Sequence, residues 1–164
     1  MAEYQTTFLR AVLAVGAGAV AGAAMVTVWF LAGASDLNYL RQYGFQAGVL
    51  IFINATVIWA LGLVLVGAPL WAILHYYGKR NWTAAGALGA ILTFVVTLGL
   101  LTNGFGLLVS GNLSASDAAG PIWVDSQLTA HGWAVALEVA VVCCIAGALV
   151  GLIVWRVAYR PVKV

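Results

Sequence analysis

Four long apolar segments dominate the sequence, at approximately residues 8–34, 46–76, 83–109 and 130–155. Each can cross a hydrocarbon core as a helix, because a thickness of about 30 Å requires about 20 residues. Only 7% of the 164 residues are charged and 64% are hydrophobic, so a soluble fold would lack the polar surface to cover its apolar side chains. The sequence therefore predicts an all-α polytopic membrane protein with a single transmembrane domain over residues 1–164.

The first apolar run extends from Ala11 to Leu31, well beyond the 7–15 residues typical of the apolar region of a secretory signal peptide. We therefore expect it to be kept as the first membrane helix. The four helices are predicted to pack as an antiparallel four-helix bundle. A short turn near residues 77–82 joins the second and third helices, and the outer loops are predicted at 35–45 and 110–129.

The distribution of basic residues predicts the orientation of the bundle. Only Arg41 lies in the first loop, and the third loop has no basic residue. The other six flank the N-terminus, the second loop and the C-terminus, and they are Arg10, Lys79, Arg80, Arg156, Arg160 and Lys163. By the positive-inside rule, both termini are cytoplasmic. The Ala-, Gly- and Val-rich composition is typical of a multi-pass protein of a bacterial inner (plasma) membrane, and we expect this location.

Aromatic residues mark the same boundaries, since Trp and Tyr concentrate where membrane helices meet water. The predicted cytoplasmic belt comprises Trp71, Tyr76, Tyr77, Trp82, Trp155 and Tyr159. The predicted outer belt comprises Trp29, Tyr39, Tyr43, Trp123 and Trp133. Pro69 cannot donate a backbone hydrogen bond, so we also expect a kink in the second helix near its cytoplasmic end.

Polar side chains occur in all four segments at a similar depth, about six to eight residues from the outer end: Thr27, Asn54, Asn103 and Glu138. At 1.5 Å per residue, this polar layer lies roughly 9–12 Å inside the outer boundary. Glu138 is its one ionisable member, and His131 lies two turns earlier on the same helix face. One interpretation is a layer of interhelical hydrogen bonds, in which Glu138 donates to Asn54 or Asn103. The other is a protonatable or ligand-binding site around Glu138.

Small residues recur at every fourth position, which permits close approach of helix backbones. One row in the first segment includes Gly18 and Gly22; a face of the fourth contains Ala136, Ala140, Cys144, Gly147 and Gly151. These rows predict either tight packing within the chain or a seam with another helix. On a helical wheel, the small face of the fourth segment lies opposite Glu138. If Glu138 faces the bundle, the small face is free to meet a second copy or a larger partner.

Other classes of site lack a sequence signature. No basic run exceeds two residues, so we expect no nucleic acid partner. His75 and His131 are predicted on opposite sides of the membrane, so they cannot ligate one haem together, and we expect no metal or other cofactor. Cys143 and Cys144 are interpreted as packing residues. The chain also lacks a recognisable catalytic motif, and we expect it not to be an enzyme.

The favoured functional hypothesis is an interaction protein, an accessory or modulatory subunit of a larger membrane complex. Its expected partners are membrane lipid and either other membrane protein subunits or further copies of the chain. Two alternatives stay open. The first is an oligomeric transporter or channel protomer that uses Glu138, because four helices are too few for most transport folds to act alone. The second is a cofactor-binding membrane enzyme subunit.

Overall fold

A computed structural model describes the backbone of residues 4–33, 37–105 and 114–161, and the side chains of 6–32, 44–105 and 114–159. The helices are α1 (Phe8–Gly33), α2 (Leu37–Gly62), α3 (Ala68–Tyr76), α4 (Trp82–Leu101) and α5 (Ala130–Ala158), with a π-helical turn at Leu63–Gly67 between α2 and α3. The strands are β1 (Tyr4–Gln5), β2 (Ala115–Asp117), β3 (Gly120–Val124), β4 (Gln127–Leu128) and β5 (Arg160–Pro161).

The prediction of a mostly helical chain with four segments able to cross a membrane is confirmed. Four helical stretches in the described part of the chain are long and apolar enough to cross a membrane: Phe8–Ala32, Gly44–Tyr76, Trp82–Leu101 and Ala130–Ala158. The first outer loop, predicted at 35–45, is shorter, because α2 already begins at Leu37. The sequence analysis started this helix at residue 46, where the continuous apolar run begins, so the more polar first turns were not recognised as helical. Residues 34–36 lie outside the described residues.

The second span contains a π-helical turn just before Pro69, where the sequence analysis predicts a kink. Its helix changes to a π-helical turn at Leu63–Gly67, where the backbone N–H of Ala68 donates to the carbonyl of Leu63. The extra residue in this turn accommodates a position from which proline cannot donate. A local widening of the helix thus accompanies Pro69, which stands in the first turn of α3.

The third span ends earlier than predicted. Helix α4 stops at Leu101, and Asn103, Gly104 and Phe105 all have positive φ angles, of 51°, 68° and 59°. The Gly104 N–H donates to the carbonyl of Gly99 at 2.6 Å, a hydrogen bond typical of a helix end closed by left-handed residues. The apolar residues after Gly104 concealed this Asn-Gly stop signal. The remainder of the predicted helix, 106–109, lies outside the described residues, as do 110–113 of the predicted loop.

The segment between α4 and α5 contains a small antiparallel sheet that the sequence analysis did not predict. Its order is β2-β3-β4, with Trp123 opposite Ala115 on one side and Leu128 on the other. Asp125 and Ser126 form the β3–β4 turn with φ angles of 47° and 64°, as a two-residue hairpin requires. Thr129 then caps α5, since its hydroxyl accepts from the Gly132 N–H at 3.0 Å.

The contacts divide the chain into two compact units, Met1–Gly89 with Ala148–Val164, and Ala90–Gly147. In the first unit α1 packs along α2, and β1 pairs with β5, which brings the two ends of the chain together. At this end a small core forms around Ala14, Ala158 and Tyr159. In the second unit the sheet packs on the start of α5, where any side chain at Gly132 would collide with the carbonyl of Ile122.

Candidate interaction sites

Glu138 lies on an exposed face of α5, within a helical stretch apolar enough to cross a membrane. It forms no hydrogen bond or ion pair with any residue that the structure describes. The interhelical hydrogen bond expected to Asn54 or Asn103 is therefore absent from the described part of the chain. A carboxyl group costs a few kcal/mol to place against lipid, so an exposed position on a membrane helix calls for a polar neighbour from outside this chain or for water.

Apolar side chains surround Glu138 on the same face of α5. Leu137, Val141, Val142 and Ile145 are 43%, 54%, 49% and 60% exposed. Val141, Val142 and Ile145 follow Glu138 at spacings of three, four and seven residues, which is the stripe that one helix presents to another, and Leu137 flanks this stripe. The stripe, defined here as the Glu138 face, thus combines a broad apolar surface with one ionisable group.

The small-residue face of α5 is buried. The sequence analysis had considered the opposite arrangement, in which Glu138 faces the bundle and the small residues are free. Ala136 and Ala140 are 4% and 0% exposed, and Gly147 is also buried. Gly151 packs against the backbone of α4, where an added Cβ would collide with the carbonyl oxygen of Ala85. Small residues permit this close approach, so burial of the small face leaves the opposite face, with Glu138, to the outside.

The small row of α1 also packs within the chain. A Cβ added to Gly18 would lie 2.6 Å from Cγ2 of Val154, and one added to Gly22 would lie 2.5 Å from Cδ2 of Trp59. The intramolecular interpretation of these two glycines therefore has direct geometric support. Cys143 and Cys144 are free thiols at partly buried positions of α5.

The other members of the predicted polar layer do not converge on a common partner. Thr27 donates to the carbonyl of Ala23 and Asn54 to that of Leu50, both at 2.8 Å and both within their own helices. Such local hydrogen bonds satisfy a polar side chain without a second helix. Asn103 lies beyond the end of α4, in the turn described above. Glu138 differs from Thr27 and Asn54 because it has no such local acceptor or donor.

His131 pairs with Asp117 rather than with Glu138. Its Nε2 lies 3.0 Å from both carboxylate oxygens of Asp117, which connects the start of α5 to the end of β2. The hydrogen bond from His131 lowers the pKa of the Asp117 carboxyl below its usual value, and the backbone N–H groups of Ala119 and Gly120 add to this effect. The pair stabilises the hairpin against the helix. Fourteen residues separate its members, and no sequence pattern indicates the contact.

An aromatic cluster, comprising Trp71, His75, Trp155 and Tyr159, closes the end of the first unit where the chain termini meet. His75 Nδ1 and the Tyr159 hydroxyl lie 2.8 Å apart, and the two rings are stacked with an interplanar angle of 12°. Trp71 contacts both rings, with centroid separations of 5.8 and 5.7 Å. Trp155 donates from Nε1 to the carbonyl of Arg80 at 3.1 Å. The predicted belt identified three of these residues as interfacial, but it could not indicate that they pack together around His75.

No family model matches the chain, and neither a curated protein nor a solved structure shows significant similarity to it.

Proposed function

We propose that the protein is a non-catalytic accessory or modulatory subunit of a larger membrane complex, and that the Glu138 face of α5 is its contact with a partner helix. The exposure of Glu138 on an apolar span carries this proposal. An isolated carboxyl group would destabilise the protein in lipid, whereas a hydrogen-bond donor on a neighbouring helix would offset that cost.

The partner that fits this face is a transmembrane helix with a Lys, Arg, Asn or Gln side chain at the depth of Glu138. A second copy of the chain fits less well. Its Lys and Arg residues lie at the ends of the spans or between them, so a second copy has no basic side chain to place at the depth of Glu138. Because a basic side chain is the strongest hydrogen-bond partner for a carboxyl group, this difference favours another protein over self-association.

The proposal includes the finer topology predicted from the sequence. The four spans form an antiparallel bundle with both termini on the cytoplasmic side of a bacterial inner membrane, and the β2–β3–β4 hairpin lies outside. The excess of basic residues at the termini and in the turn near Arg80 supports this orientation. The pairing of β1 with β5 supports an arrangement in which both chain ends are on one side.

The alternative of an oligomeric transporter or channel protomer draws on the same observation. Glu138 is exposed on α5, and in a homo-oligomer the copies of this carboxyl group would line an aqueous path. Glu138→Gln separates the two functions. The amide keeps a hydrogen bond to a partner, so an accessory subunit should retain its complex, whereas a proton-coupled path should lose conduction.

Site-specific photo-cross-linking in native membranes tests the proposal. A photoreactive residue at Val141, one turn from Glu138, should cross-link to another membrane protein that carries a basic or amide side chain in a membrane helix. Ile91 on α4 is 62% exposed and supplies the matched control on a different helix, from which this product should be absent. The product at position 141 should decrease strongly when Glu138 is changed to Leu.

Two results would contradict the accessory-subunit proposal. Reaction at position 141 with lipid alone would show that no helix covers the Glu138 face. Cross-linking of position 141 only to a second copy of the chain would support the homo-oligomeric alternative instead.

A further inference from the structure

The turn between α3 and α4 is held in place by hydrogen bonds from its backbone. The N–H of Lys79 donates to the carbonyl of Leu74 at 2.9 Å, and Gly78 adopts a φ of 72°. Trp155 from the end of α5 donates to the carbonyl of Arg80. Because these contacts use main-chain atoms of the turn, the side chain of Arg80 is not required to hold the turn in place.

The guanidinium group of Arg80 has unused hydrogen-bonding capacity. Its Nε is buried without a partner, while the side chain as a whole remains partly exposed. None of the acidic side chains that the structure describes forms an ion pair with it. Burial raises the pKa of the neighbouring Tyr159 hydroxyl, and the positive charge of Arg80 partly opposes that rise. A cation beside the aromatic cluster is thus left without a counter-ion from the described residues.

We propose that Arg80 binds the phosphate group of an anionic phospholipid headgroup. Arg80 lies between the span that ends at Tyr76 and the span that begins at Trp82, which is the depth at which lipid phosphates occur. The planar guanidinium fork matches two phosphate oxygens, and the buried inner edge restricts the orientation of that fork. Exposed Lys79 adds a second positive charge beside it. This headgroup site is independent of the Glu138 face.

Thermal unfolding of the purified chain in neutral detergent micelles tests the site with three additives: dioleoylphosphatidylglycerol, dioleoylphosphatidylcholine and inorganic phosphate. We expect the phosphatidylglycerol to raise the unfolding temperature in a saturable manner, at concentrations where the other two have little effect. Arg80→Gln should weaken the apparent affinity for phosphatidylglycerol by about tenfold or more. Arg80→Lys keeps the charge but not the fork and should give an intermediate loss.

Arg156→Gln is the matched control, because Arg156 is an exposed cation in the last turn of α5. It should weaken the affinity only by about the fivefold expected for one interfacial charge. Equal losses in the Arg80 and Arg156 variants would overturn the site in favour of general surface attraction. Equal stabilisation by phosphatidylglycerol in wild type and Arg80→Gln would also overturn it. Stabilisation by inorganic phosphate at the same low concentration would refute a lipid ligand and indicate a free-anion site.

Discussion

Substitution of glycine by alanine along α1 should have opposite effects at two positions that share a helix and a membrane environment. Gly16 has no atom within 4 Å of an added Cβ, whereas the same Cβ at Gly22 would meet Trp59 at 2.5, 2.6 and 2.9 Å. Real Cβ atoms do not approach other atoms this closely, so either the indole ring or α1 must move.

The size of the effect follows from two contributions. Alanine stabilises a helix interior by about 0.5–1 kcal/mol relative to glycine, and Gly16→Ala should gain this amount. Overpacking typically costs about 1–3 kcal/mol, so Gly22→Ala should range from nearly neutral to about 2 kcal/mol destabilising. The two variants should therefore differ by about 1–3 kcal/mol in the free energy of unfolding. Titration with sodium dodecyl sulfate in mixed micelles measures this difference.

A third and a fourth variant examine the cause of the difference. The added methyl group of Gly18→Ala meets only one atom closer than 3.0 Å, the Cγ2 of Val154, whereas that of Gly22→Ala meets three atoms of one rigid ring, so the stability of the Gly18 variant should fall between the other two. In a Trp59→Leu background, the added cost of Gly22→Ala should decrease, because the ring that the methyl group meets is gone. Equal stability of the Gly16 and Gly22 variants would refute the packing of α1 against Trp59.

Three further predictions concern the two polar pairs and the topology. The His75–Tyr159 hydrogen bond should give a coupling free energy of about 0.5–1.5 kcal/mol in a double-mutant cycle with His75→Phe and Tyr159→Phe, and a coupling near zero would contradict the contact. The pKa of Asp117 is lowered in the folded chain. Its stabilising contribution is therefore complete above the usual Asp value of about 3.9 and lost as the pH falls through the lower folded value. Asp117→Asn should reduce the loss of thermal stability at acid pH. Asp125→Asn, in the β3–β4 turn, is the control and should not reduce it. The same acid dependence in the wild type and in both variants would argue against the Asp117–His131 pair. The topology can be tested by thiol labelling after Cys143 and Cys144 are replaced by Ala. A cysteine at Ser116 should react with an impermeant thiol reagent added outside the cell, and a cysteine at Asn81 should not. The opposite labelling pattern would show that the proposed orientation is inverted.

Features that depend on composition over a long window could be predicted from the sequence. The four spans follow from apolar length alone, whereas the missing N–H of Pro69 indicated a kink near this position and not the π-helical turn that precedes it. The end of α4 carried a local signal, Asn103-Gly104, that the following apolar residues outweighed. The hairpin turn at Asp125-Ser126 was harder to recognise, because it has left-handed residues without the glycine that usually marks such turns.

Long-range contacts could not be predicted, and they determine the candidate sites. His75 and Tyr159 are 84 residues apart, and only the packing of α3 beside the end of α5 brings them together. The helical wheel separated Glu138 correctly from the small residues of α5. It did not indicate which of these two faces is buried. Burial of Glu138 would allow it to form a hydrogen bond inside the chain, whereas burial of the small residues allows close packing of helix backbones, and α5 cannot bury both faces equally. Close packing of Gly151 against Ala85 prevails in this chain.

The outward position of Glu138 can be tested by comparing the stability of the isolated chain with that of its complex. Glu138→Leu should leave the free energy of unfolding of the purified chain unchanged or slightly higher, because the carboxyl group has no partner among the described residues. The same substitution should dissociate the complex isolated from native membranes, while Glu138→Gln should largely preserve it. Loss of stability in the isolated Glu138→Leu chain, with the native complex intact, would contradict the outward position and indicate that Glu138 packs within the chain.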